Sequence, residues 1–392
     1  MSWPDRRLDV AAVAWIDRYL AVRDRWLSNP KFQRWAAAFA LTRPTARRRA
    51  RALFDLCAGF VYSQILFACV RLKLFDLLAQ GPLSAHEIAA RLALPLDSTH
   101  RLLEAAISLL LVEKRPSGRF GLGSLGAALV GNPAAGAMVE RHSLFYADLN
   151  DPVGLLRGER EQTELSRYWT YSAGDTRMAT KRDPRFADYT SLMSCSQPLV
   201  SHEILDAYPL NKHRSLLDVG GGDGSFLIEA AKRYAHLQLE LFDLPPVTQR
   251  AEQRFAALGL QTRARIHAGD FLADPLPEGS DVVSLVRVVH DHDDDAAMTL
   301  LRATYRALPA KGVLLLAEPM MGTPGAEPVA DAYFGFYLLA MGRGRPRTPH
   351  TLQQMLQAVG FAETHLIRTR QPLQSRLIVA RKASATKSVP LN

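Results

Sequence analysis

The chain has little cysteine: three residues in 392, Cys57, Cys69 and Cys195, widely spaced, with no CxxC pair and no histidine cluster. That scarcity excludes a disulfide framework and a structural zinc site, and it suits a reducing compartment. No run of about 18 uncharged apolar residues is present, so no transmembrane helix is expected. The opening residues, MSWPDRRLDV, carry arginine but no apolar core and no small-residue cleavage site, and no secretory signal is read there. A lysine-bearing phosphate loop is also missing. The remaining reading is a cytoplasmic protein of two domains, with 48% hydrophobic residues to fill its cores.

Acidic charge is scarce at one end. Residues 1–51 hold 12 Lys and Arg against 4 Asp, a net +8 out of +9 for the whole chain. The body is therefore close to neutral, and the basic balance does not mark a nucleic-acid protein. Trp15, Trp26, Phe32, Trp35 and Phe39 are followed by Arg43, Arg47, Arg48, Arg49 and Arg51. The spacing of Phe32, Trp35 and Phe39 puts them on one helical face. Two readings stay open: a helix packed on its own domain or on a partner subunit, and an amphipathic segment peripheral to an anionic membrane.

Residues 52–80 form a strongly apolar helical stretch closed by Gly81-Pro82. Ser84 and Glu87 make a capping box, and a second helix follows Pro95, with Asp97 as N-cap and a body running to Leu111. VEKRPSGRFGLG then reads as a two-stranded wing. This order resembles a winged helix, but its second helix offers His100, Arg101 and Glu104 rather than a row of base-reading side chains. A DNA-binding regulator is therefore disfavoured, and no nucleic-acid partner is expected. After an aromatic-rich helical region over 130–200, apolar strands alternate with helical runs: Ser215–Val219, Gln238–Asp243, Arg265–Ala268, Val282–Val286, Val313–Glu318 and Leu377–Ala380. That rhythm predicts an α/β fold with a doubly wound sheet. The expected divisions are a basic arm over 1–51, a helical domain over 52–200, the α/β domain over 201–384 and a polar tail over 385–392.

The strongest local signal is LLDVGGGDGS, where a buried strand ends in a glycine-rich turn that opens a helix. Asp218, Gly220 and Gly222 belong to it, because only glycine lets the backbone turn so sharply and approach a ligand so closely. The dinucleotide fingerprint is broken, since Ser225 stands where its third glycine would be. Asp243 closes the next strand and suits ribose hydroxyls. Asp270 and Phe271 close the third, and suit the amine and the face of an adenine. A ribose and an adenine without a phosphate cradle describe S-adenosyl-L-methionine.

The fourth strand delivers His290 to the same edge, and the fifth ends in Glu318, placed to orient the imidazole. HDHDDD also invites a metal reading, but no distant Cys or His cluster completes a first shell, and its later acids suit a helix N-terminus. No metal is expected. Tyr333, Phe334, Phe336, Tyr337, Leu338, Leu339 and Met341 can line a long apolar pocket or form a buried helix, and both readings stand.

Taken in order, DVGGGDG, FDLP, GDF, VVHDHDDD and AEP resemble the plant-type family of small-molecule O-methyltransferases, which includes caffeate and acetylserotonin methyltransferases. The resemblance covers most of the chain. It implies a Rossmann-like class I methyltransferase domain preceded by a mainly helical, winged-helix dimerisation domain, and hence a homodimer. It assigns His290 as base and Glu318 as its orienting acid. Asp243, Leu244, Asp270, Phe271 and Arg287 become cofactor contacts, and Tyr189, Met193, Phe334, Tyr337 and Met341 pocket residues. One departure stands out: the family often has a second glutamate before an Arg-Thr pair, where this chain has Pro346 before Arg347-Thr348. Within the family, RPTARRRARALFDLCAGFVYSQ and AYFGFYLLAMGRGRPRTP resemble the bacterial hydroxyneurosporene (demethylspheroidene) enzymes of carotenoid synthesis. That implies a hydrophobic hydroxyl acceptor, with a tetrapyrrole or a phenol as the alternatives.

Overall fold

A computed structural model describes residues 10–160, 162–168, 197–372 and 375–384. They fall into two compact units, residues 1–132 and 133–392.

The first unit opens with helices α1 (Val10–Leu27), α2 (Pro30–Ala38) and α3 (Arg43–Arg71). Asn29 caps α2 by accepting from the Lys31 amide at 2.8 Å. Helix α3 begins well before residue 52, so the basic run and the apolar run are one continuous element. It is long and apolar enough to cross a membrane by length and composition, and its apolar window is 6% buried. The expectation that no segment meets that test is corrected. Asp55 is the only charge between Arg51 and Arg71, and one acid does not cancel so long an apolar stretch. Helices α4 (Leu74–Ala79), α5 (Ala85–Leu92) and α6 (Leu96–Ser108) follow, then the antiparallel pair β1 (Val112–Lys114) and β2 (Phe120–Leu122). The capping box is present, with Glu87 accepting from the Ser84 amide at 2.7 Å. Asp97 is not the N-cap of α6. Pro95 holds that position, and Asp97 lies in the first turn, paired with Arg101 at 2.9 Å. Cys69, Leu74, Ile88, Leu103 and Ala106 form this unit's buried core.

The second unit is built on a seven-stranded sheet: β3 (Ser215–Val219), β4 (Gln238–Asp243), β5 (Ala264–Ala268), β6 (Val282–Val286), β7 (Val313–Glu318), β8 (Glu363–Ile367) and β9 (Arg376–Arg381). The order is β5-β4-β3-β6-β7-β9-β8, parallel except for β9, which runs antiparallel to both neighbours. Every residue of β6 and β7 is buried, because helices cover both faces and each face needs apolar side chains. The two-residue period divides the strands between two cores. Leu216, Val282 and Leu315 join Phe226 and Phe255 on one side. Leu217, Val283 and Leu316 join Leu300 and Leu352 on the other. Strand order reverses at β3, and this switch point opens a crevice at the carboxyl ends of β3, β4 and β6.

Residues 133–168 belong with this sheet rather than with the helical unit to which the sequence reading assigned them. Helix α7 (Pro133–Asp148) contributes Phe145 to a cluster with Leu155, Leu165 and Ala340. Buried Asp148 accepts from the Glu164 and Leu165 amides at 2.7 and 2.9 Å. Within this span, Phe145 packs edge-on against Tyr333 and Tyr337.

Candidate active site

Past β3 the chain adopts left-handed backbone at Gly220 (φ 70°), Gly222 (φ 63°) and Gly224 (φ 79°), where a side chain costs about 1–2 kcal/mol. Gly220 is constrained twice, because a Cβ there would stand 2.9 Å from the Val288 side chain. A Cβ on Gly221 would stand 2.3 Å from the Asp218 carboxylate. The loop is thus pressed onto the turn after β6 and onto an acid below it.

Asp218 is fully buried and accepts from Ser284 Oγ at 2.6 Å, while Oδ2 has no partner. Burial pushes its pKa up to about 7. Asp243, at the end of β4, accepts from the Gly222 amide through Oδ2 and from the Leu244 amide through Oδ1, both at 2.7 Å. Burial raises it to about 6 even against those two donors. Each oxygen keeps a second lone pair, so the carboxylate anchors the loop and can still accept from a diol. At the end of β5, Asp270 accepts from the Leu272 amide at 2.9 Å. Phe271 meets the His292 ring edge-on at 5.2 Å. Left-handed glycines, a strand-end carboxylate with free lone pairs and a half-exposed aromatic ring together fit a ribose and an adenine base.

After β6 the backbone turns abruptly at Arg287, left-handed at φ 60° with its amide bonded to the Ala317 carbonyl at 2.7 Å. A non-glycine residue held there stores about 1–3 kcal/mol of strain. The turn swings His290 into the interior, 4% exposed. Glu318, fully buried at the end of β7, accepts from the His290 backbone amide at 3.0 Å through Oε2. The same oxygen stands 3.6 Å from Nδ1, beyond hydrogen-bond length. Glu318 therefore secures the backbone of the turn, and its hold on the imidazole is electrostatic. Asp291 stands 3.2 Å from Nε2. Burial pulls the His290 pKa down, but Asp291 and Glu318 outweigh it and raise the group above its ordinary value.

The Pro346 departure is resolved by its neighbour. Arg347 is 3% exposed and reaches both sides of the histidine turn. Nη1 donates to the Val289 carbonyl at 3.0 Å and Nη2 to the His292 carbonyl at 2.8 Å. Nε and Nη2 also donate to Asp294 at 3.0 and 2.8 Å. Gly344 lies so close that a Cβ would meet the His290 carbonyl at 2.3 Å. A guanidinium clamp on the backbone thus braces the turn. It escaped the sequence reading because its contacts span 53 to 58 residues, and the surviving Arg-Thr pair was the only signal.

A π-helical stretch, Pro328–Phe334, leads into helix α8 (Gly335–Met341) and sets Phe334 edge-on to His290, with ring centroids 5.9 Å apart. Such irregular turns recur at functional sites. An aromatic wall continues from there: Phe334 to Tyr333 at 5.3 Å, and Tyr333 and Tyr337 to Phe145 at 5.9 and 5.6 Å. His142, absent from the sequence reading, meets the Tyr333 hydroxyl at 3.0 Å. Met341 is buried on the same helix as Tyr337. Tyr189 and Met193 lie outside the described residues. Among those residues no group of three His, Cys, Asp or Glu could hold a metal ion.

Comparison with known proteins agrees with this geometry. An O-methyltransferase domain matches residues 146–362, and an O-methyltransferase dimerisation domain matches residues 54–132. Demethylspheroidene O-methyltransferase of Cereibacter sphaeroides is 38% identical over 361 residues, covering 92% of this chain and 94% of the relative. The Rhodobacter capsulatus enzyme of the same name is also 38% identical, over 86% of this chain and 83% of its own. Among solved structures, human N-acetylserotonin methyltransferase in complex with S-adenosylmethionine superposes with a TM-score of 0.70 at 26% identity. It covers 86% of this chain and 98% of the human one.

Proposed function

This chain belongs to the O-methyltransferase family as an S-adenosylmethionine-dependent enzyme, and we propose that its acceptor is the C1 tertiary hydroxyl of an acyclic carotenoid, with His290 as general base. The observation that carries the acceptor is the likeness to the demethylspheroidene enzymes, which runs through nearly the whole chain. The aromatic wall from Phe334 to Phe145 supports it, since a long polyene needs an apolar lining.

When bound, S-adenosylmethionine supplies an electrophilic methyl group. Asp243 and the glycine loop would hold its ribose, and Asp270 with Phe271 its adenine. The protein's remaining task is to align the acceptor oxygen and to take its proton. Alignment at reacting distance is worth up to about 7–11 kcal/mol. A buried imidazole cannot ionise a tertiary alcohol outright, so His290 accepts the proton as the new bond forms, contributing about 10²–10⁴-fold. Asp291 and Glu318 stabilise the imidazolium that results.

The test is methyl transfer from labelled S-adenosylmethionine to 1-hydroxycarotenoids in detergent, beside catechol and tetrapyrrole acceptors. A methoxy-carotenoid is the expected product, and transfer to another acceptor alone overturns the assignment. His290→Ala should cut turnover within the stated range and leave cofactor affinity nearly unchanged. A large loss of affinity would move His290 into the cofactor pocket.

A further inference from the structure

We propose that the arm formed by α1, α2 and the first turns of α3 is a docking surface for an anionic lipid bilayer. The arm lies outside both family matches, the first of which begins at residue 54. The human structure is covered over 98% of its length by 86% of this chain, so about a seventh of the chain has no counterpart there. A segment that the shared fold does without needs its own explanation.

Residues 10–53 carry ten Lys and Arg against Asp17 and Asp24, a net +8. Their aromatic rings are held against one another and remain open to solvent. Trp15 stacks on Tyr19 at 6.2 Å. Trp26, Phe32, Trp35 and Phe39 form a continuous series with centroids 5.2 to 5.6 Å apart. Trp26 is 60% and Trp35 53% exposed. An open cleft of about 650 Å³ is lined by Trp26, Phe32 and Trp35 together with Arg25, Asn29 and Lys31. On the next helix Arg43, Arg47, Arg48, Arg49 and Arg51 are all exposed. Tryptophan rings with an apolar body and a polar edge, flanked by arginine, are what the boundary between headgroups and acyl chains favours.

A second copy of this chain is the competing occupant, and charge argues against it. A two-fold contact would set the same +8 surface against itself, whereas anionic headgroups complement it. The dimerisation match starts at residue 54, so the arm lies outside it, whereas exposed Leu56 and Phe60 of α3 lie within it. Docking would also bring the enzyme to an acceptor dissolved in lipid, but nothing in the surface depends on the acceptor's identity.

Flotation of the full chain with vesicles of phosphatidylcholine, with and without phosphatidylglycerol, tests this. Binding is expected only with phosphatidylglycerol, and weaker as salt rises from about 0.1 to about 0.5 M. Arg47→Gln/Arg48→Gln/Arg49→Gln should lower partitioning roughly 100-fold, at about five-fold per arginine. Trp26→Ser/Trp35→Ser should abolish binding at both salts, and both variants should keep full turnover on a detergent-dispersed acceptor. Equal binding to neutral vesicles, no binding by the native protein, or unaltered binding by the variants would each overturn the proposal. So would loss of the dimer in light scattering with flotation unchanged, or equally tight binding of a DNA duplex. Flotation uses no acceptor, so a failed carotenoid assay leaves this result standing.

Discussion

Replacing Arg347 by methionine keeps the length of the side chain and removes a buried cation that touches no proposed ligand site. The guanidinium donates to the carbonyls of Val289 and His292, which bracket His290, and to Asp294. Charge-assisted hydrogen bonds of this kind are worth about 1.5–3 kcal/mol each. Asp294 is half exposed and regains water, so its contribution is discounted. The two carbonyls then account for a loss of about 3–6 kcal/mol in stability. The kinetic effect is the more telling one. Freed of the clamp, the turn keeps Glu318 at the His290 amide and the Arg287 amide on the Ala317 carbonyl, but loses its hold on the carbonyls either side of the base, and a displacement of the base by about 1 Å costs roughly 10² in rate. Arg347→Met should therefore lower kcat about 100-fold, with S-adenosylmethionine affinity by titration calorimetry nearly unchanged. Arg347→Lys should fall between, since a point charge cannot bridge two carbonyls and a carboxylate as a planar fork does. Native kcat in Arg347→Met, or equal losses in cofactor binding and turnover, would refute the clamp as a device for positioning the base.

The Asp291 carboxylate, 3.2 Å from Nε2, raises the His290 pKa. The base works only when neutral, so the acid limb of kcat should lie above pH 6.5 in the native enzyme. Asp291→Asn should move that limb to lower pH, and a limb that stays in place or rises contradicts the assignment. Asp218 has a folded pKa of about 7 against an ordinary 3.8. The folded state binds the extra proton, so this group's contribution to stability is full below pH 3.8 and lost as pH rises towards 7, by at most a few kcal/mol. Urea unfolding of the cofactor-free protein at pH 5 and pH 8 should show that decline in the native chain and a smaller one in Asp218→Asn. Equal declines would remove Asp218 as its source.

The chemistry at the strand ends was legible without coordinates. Parallel strands buried on both faces must be nearly continuous apolar runs, so LLDV, VVSLV and VLLLAE announce themselves, and whatever polar residue ends each run is delivered to the crevice. Asp243 and Glu318 end their strands in this way, Asp270 and His290 follow β5 and β6 by two and four residues, and Asp218 was read from the glycine loop that follows it. Strand β8, ETHLI, was not, because an edge strand with half-exposed residues lacks that continuity. Asp97 was misread as a cap because a good capping residue next to Pro95 looks the same from sequence whichever position it takes. The span 133–168 was grouped with the wrong unit, since aromatic richness states that a segment will be buried and leaves its partner open. The brace around the base was hidden for the same reason. Glu318 grips an amide 28 residues away and Arg347 two carbonyls more than 50 residues away, and no local pattern encodes such pairs. Local sequence determined which groups reach the crevice, because strand period and glycine turns act over a few residues. Which of them press on the histidine, and from which side, was decided only when distant segments packed, because hydrogen bonds and desolvation depend on neighbours in space.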